Sequence, residues 1–150
     1  MTYGQAVELY SFTSEGDSVD LAFNQDQVLA LFSFSSEVYS VFSKNNGLSF
    51  TPPQLLSRQG SRPTGCLIND NKIAAWEEKN GTMEAIGLDR SSTIPGPASF
   101  LINITDEALS SPSLVIDQLN AANLIFLSLN TKYGDQRIYF SGTATPEPLL

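Results

Sequence analysis

The chain has 150 residues, 41% of them hydrophobic and 10% aromatic, which is enough for one folded domain with a real core and too apolar for a disordered segment. Its net charge is -8, and residues 1–43 hold six acids (Glu8, Glu15, Asp17, Asp20, Asp26, Glu37) with no Lys or Arg. An acidic surface repels phosphate backbones, so a nucleic-acid partner is not expected, and no apolar run nears membrane-spanning length.

The first residues, "MTYGQAVELY", lack the basic and apolar regions of a secretory leader. The expectation is a chain without a secretory signal, cytoplasmic before any assembly. Residues 6–12, "AVELYSF", alternate in part and predict an extra strand within residues 1–17.

From residue 18 onward one pattern recurs. "FNQDQVLALF", "INDNKIAAWE" and "IDQLNAANLIFLSL" each give an apolar residue, a polar turn and an apolar run. Phe23 and Ile68 are 45 apart, as are Leu31 and Trp76, and Leu127 follows Trp76 by 51. The runs "VLALF", "IAAW" and "NLIFLSL" are apolar on consecutive residues, which predicts strands covered on both faces. Turns follow at 35–37, 79–81 and 132–135, rich in the Gly, Asn and Ser that tight hairpins use. Second strands then end on Ser43, Ser91 and Ser141. Pro52, Pro97 and Pro146 open closing segments that end on Leu56, Leu101 and Leu150. Thr105 and Asp106 could cap one short helical turn, which Pro112 limits.

The reading is an all-β single domain, 1–150, of three four-stranded, blade-like antiparallel repeats at 18–57, 58–102 and 103–150. Such an array is a partial β-propeller or one completed by oligomerisation, and a β-trefoil or β-prism is the alternative.

The stretch "SKNNGLSF" (Ser43 to Phe50) resembles the Asp-box, or BNR repeat, of sialidase-like β-propellers. The family pattern is Ser/Thr-x-Asp-x-Gly-x-x-aromatic. Ser43, Gly47 and Phe50 match it, Asn45 stands in the Asp position, and Phe50 replaces the usual Trp. "RSSTIPGP" and "FSGTATPEP" are eroded copies. The resemblance implies a structural role for Ser43, Asn45, Gly47 and Phe50, folding the corner between the third and fourth strands of a blade.

The same resemblance implies what a sialidase would require: three Arg, a Tyr nucleophile paired with Glu, and an Asp acid/base. Here Arg58, Arg62, Arg90 and Arg137 are the only arginines, "SRPTG" is a poor echo of the family's Arg-Ile-Pro, and no motif marks one of the five tyrosines as nucleophile. His is absent, which removes Ser-His and Cys-His pairs and the commonest metal ligand. Glu77 and Glu78 are neighbours on a strand and point apart, so they cannot flank one glycosidic bond. Asn69 to Asn71 occupy a hairpin slot rather than a calcium loop. Cys66 is a single cysteine among apolar neighbours, read as a buried thiol. Asn80 and Asn103 begin glycosylation patterns that matter only on a secretory route. Trp76, whose repeat counterparts on this spacing are Leu31 and Leu127, is read as core rather than a sugar platform.

No catalytic residue, metal or cofactor is therefore assigned. The expected function is a non-catalytic structural or assembly module, partnered by itself as a homo-oligomer or by another structural protein. Virus or phage particles are one setting for an unsecreted Asp-box protein. A glycan-binding module is the alternative, and a fragment of a sialidase-like hydrolase the remaining one.

Overall fold

A computed structural model describes residues 4, 6, 8–13, 15–69, 71–91 and 98–142. Among them are eleven strands and no helix: β1 (Gly16–Asn24), β2 (Gln27–Phe34), β3 (Glu37–Ser43), β4 (Gln54–Ser57), β5 (Gly60–Ile68), β6 (Asn71–Asn80), β7 (Met83–Ser91), β8 (Ala98–Ile102), β9 (Glu107–Ile116), β10 (Ala122–Asn130) and β11 (Gln136–Gly142). No helix of the described residues is long and apolar enough to cross a membrane.

The strands form three antiparallel meanders, β1-β2-β3-β4, β5-β6-β7-β8 and β9-β10-β11. The segment from Pro146 to Leu150 lies outside the described residues. Local chemistry sets the turns. Ser35 and Ser36 both take positive φ (49° and 63°) and close β2 onto β3 with two residues, and Gly81 (64°) does similar work between β6 and β7.

The meanders stack face to face. Leu29, Leu31 and Phe42 of the first sheet meet Leu67, Ala74 and Trp76 of the second. Cys66, Ala75 and Leu88 on the second sheet's other face meet Leu114, Leu124 and Phe126 of the third. Ala74 and Ala75 are adjacent and point apart, yet both are buried, so the middle sheet is sandwiched. A trefoil or prism, with one core inside a closed set of sheets, does not cover a sheet twice. Among the described residues the three sheets make an open stack, not a closed ring or barrel. At the first junction β5 runs close to the first sheet: the Gly65 amide donates to Asp20 Oδ2 at 2.9 Å, and a Cβ at Gly65 would lie 2.5 Å from Leu31 Cδ1.

Several sequence expectations are corrected. The described residues of 6–12 form no strand. Instead Tyr10 and Phe12 lie flat on the outer face of the first sheet. Phe12 stacks on Phe34 at 4.3 Å between ring centroids, and Tyr10 on Phe32 at 5.7 Å. Aromatic stacking places the described residues of this segment on the sheet.

Thr105 and Asp106 start no helical turn; Asp106 takes φ 62° and the chain enters β9 at once. Pro112 sits in that strand beside a bulge, where Ser111 takes φ 53° and the ladder to β10 skips. The bulge leaves an unpaired position, so Pro costs no ladder bond. The same device appears in β5: Arg62 takes φ 50° before Pro63, and the ladder to β6 skips between Ser61 and Thr64. "SRPT" and "SSPS" are thus one repeated bulge. Glu77 ties both together, its Oε1 accepting from Arg62 Nη1 (3.4 Å) and from the Ser111 amide (2.8 Å).

The repeat spacing also shifts by one. The β1–β2 hairpin closes on Asn24 and Gln27, the β5–β6 hairpin on Ile68 and Asn71, which gives an offset of 44 rather than 45. Both bulges lie opposite an aromatic residue, Trp76 in β6 and Phe126 in β10. The counterparts of Trp76 are therefore Phe32 and Phe126, not Leu31 and Leu127. A slip of one residue moves a strand's side chains to the opposite face.

Candidate interaction surface

The corner residues act on their own backbone. Between β3 and β4, Ser43 Oγ accepts from the Gly47 amide at 2.9 Å and donates to Asn45 Oδ1 at 2.9 Å. Asn45 Oδ1 also accepts from the Ser49 amide at 3.0 Å, and Asn45 Nδ2 donates to Ser49 Oγ at 2.8 Å. Asn46 and Gly47 supply the positive φ (58° and 80°) that turns the chain. Phe50 packs against the outer-face cluster containing Ala30 and Val41. Ser43 is buried, and the polar groups of this corner serve the turn.

Trp76 fills the interior. It is 4% exposed, and its Nε1–H donates to Glu78, which also accepts from Ser57 Oγ. Its cross-strand partner is Gly87, where a Cβ would lie 2.3 Å from the indole ring. In the other two sheets the matching pairs are Phe32–Tyr39 and Phe126–Tyr139, stacked at 5.8 and 5.4 Å. The larger indole leaves room only for glycine where the other sheets place tyrosine. Each repeat thus carries one aromatic plug, a signal legible in the sequence only once the register is right.

Those tyrosines meet carboxylates. Tyr39 Oη donates to Glu37 at 2.6 Å, and Tyr139 Oη to Glu107 at 3.3 Å. The Glu37 hydrogen bond, foremost, holds the Tyr39 phenol above its ordinary pKa, the opposite of an activated nucleophile. Arg58, Arg62 and Arg137 each pair with a different glutamate, Glu37, Glu77 and Glu107, so they do not converge. Glu77 and Glu78 point to opposite faces. Asn69, at φ 52°, and Asn71 flank the β5–β6 hairpin. Burial pushes the Cys66 thiol up to about 11.

What the described residues expose is apolar surface at both ends of the stack. The outward side of the third sheet carries Val115 of β9, Ile125, Leu127 and Leu129 of β10, and Ile138 and Phe140 of β11. Ile138 and Phe140 are 74% and 67% exposed. The remaining outward positions are Ala, Ser, Asn, Gln and Gly, so this face has no charged residue on a chain of net charge -8. At the other end, Val19, Leu21 and Phe23 of β1 form an exposed stripe beside Tyr10 and Phe12. A groove of about 490 Å3 runs along Tyr10, Phe12, Asp17, Ser18, Phe32 and Ser33.

The run "NLIFLSL" predicts burial on both sides, as β2 and β6 have. In β10 burial alternates instead, with Leu124, Phe126 and Ser128 covered and the residues between them exposed. No protein-family model and no curated protein matches the chain.

Proposed function

We propose that the protein is a non-catalytic structural module that works by docking its end sheet faces against partner surfaces. The charge-free apolar face of the third sheet supports this most directly. Contiguous exposed apolar patches of this kind mark interaction sites. The corner resembling an Asp-box supports a blade-type building unit, and a particle of the virus or phage kind is the setting that resemblance suggests. The test is mild purification from the native source, followed by measurement of mass and composition. An assembly heavier than one chain supports the reading, and a lone monomer at every concentration contradicts it.

A second reading, glycan binding, draws on the groove at the first sheet. Aromatic walls beside the Asp17 carboxylate suit a sugar's apolar face and its hydroxyl rim. Glycan-array binding that is lost in Tyr10→Ala would support it; a blank array would remove it.

A further inference from the structure

We propose that the outward face of the third sheet receives the first sheet of a second copy of this chain, so that two chains join head to tail through two like junctions. This rests on the structural-module reading and names the partner which that reading leaves open.

The argument starts in β10. Its stretch "NLIFLSL", apolar at five of seven residues and on four in a row, has the composition of a doubly covered strand, and one side is bare. With Phe32, Trp76 and Phe126 aligned, Ile125 stands where Leu31 and Ala75 stand in the other sheets. Both of those are buried because the next sheet of the same chain lies on them. The surface that fits over Ile125 is therefore the leading face of another sheet of this type.

The chain carries one such face that is bare along its β1 edge, while Leu9, Tyr10, Phe12 and Phe50 cover its β2 and β3 residues. On the corrected offset, Phe23 of β1 matches Leu67 of β5, which the first sheet covers to 1% exposure. Phe23, Leu21 and Val19 have no preceding sheet among the described residues and stand exposed. Each copy thus holds a bare trailing face and a leading face that is bare along β1, with Tyr10 and Phe12 lying over β2 and β3 beside it. A second copy supplies both complements. Two chains bring six sheets, within the four to eight of closed propellers, and a dyad along the ring axis makes the junctions identical. A specific interface buries about 1,200 Å2 or more in total, so each of the four faces has to contribute roughly 300 Å2.

The experiment uses the full chain, with Ile138→Asp on the trailing face and Leu21→Asp on the leading face. Sedimentation velocity follows wild type, each variant alone, and an equimolar mixture. Near-UV circular dichroism checks folding, and Val19→Asp, at 83% exposure, and Phe140→Asp stand in for a variant that does not fold. The expectation is a wild-type dimer, association weakened about tenfold or more in each variant alone, and association regained in the mixture. The mixture recovers because it holds one junction with both faces intact. Loss in Ile138→Asp without loss in Leu21→Asp indicates like-with-like pairing of third sheets and overturns the proposal. A wild-type monomer at all concentrations also overturns it. In that case the structural-module reading survives only if the native-source protein carries a different partner.

Discussion

Replacing Trp76 with alanine tests the repeat plug directly. The indole is 4% exposed, so nearly all of its burial is lost on truncation. Large-to-small changes cost most where neighbours cannot close the gap. Here two of the neighbours are glycines: a Cβ at Gly60 would lie 2.7 Å from Trp76 Cδ1, and one at Gly87 2.3 Å from the ring. Neither has a side chain that could swing into the space. The loss also takes the Nε1–H donor from Glu78. The expected cost is thus in the upper part of the ~3–5 kcal/mol seen for such changes. Against a domain stability of about 5–15 kcal/mol, that is a large fraction. Trp76→Phe, which installs the residue of the other two sheets, should cost about 1–2 kcal/mol. Urea denaturation followed by far-UV circular dichroism is the assay, since the chain's one tryptophan is the residue removed. A loss under about 2 kcal/mol for Trp76→Ala would refute the reasoning, because the site would then have collapsed around glycines.

Gly87→Ala should cost about 1–3 kcal/mol by overpacking against the indole, and the penalty should shrink in the Trp76→Phe background; equal penalties in both would break the assigned pair. Gly47→Val should cost at least about 1 kcal/mol in thermal or urea unfolding because φ is 80°, whereas Asn45→Asp keeps the Oδ1 acceptor and should be tolerated. The Cys66 thiol rises from 9.0 to about 11 through burial. Between those values the folded state keeps a proton that the unfolded state has released, so stability falls with rising pH there and is full below about 9. Unfolding titrations of wild type and Cys66→Ser should separate in that window alone, and native Cys66 should resist thiol reagents that label it in urea.

The hairpins and the three-unit plan were legible because turn chemistry and apolar runs are local. The register was not. Counting from apolar runs put Leu31 beside Trp76, while the hairpin ends put Phe32 there; a one-residue choice decides which face a side chain takes. The Ser-x-Pro bulges were hidden because Arg62 and Ser111 take positive φ without glycine, against local preference. Residues 8–12 carry no ladder to read and are placed by ring stacking on distant strands. The corner at Ser43, Asn45 and Gly47 was readable, since its bonds are made within seven residues of chain. The exposed face of the third sheet was only half readable: "NLIFLSL" announces burial on two sides, and the described residues cover one.

The central claim is that the third sheet's outward face is covered when the protein works. Hydroxyl-radical footprinting of the native assembly, read by mass spectrometry, measures that cover at single side chains. Ile138 and Phe140 should oxidise as slowly as buried Leu124 in the assembly and quickly once it is diluted apart. Oxidation of both at the rate of exposed Leu119, whatever the concentration, would contradict the account.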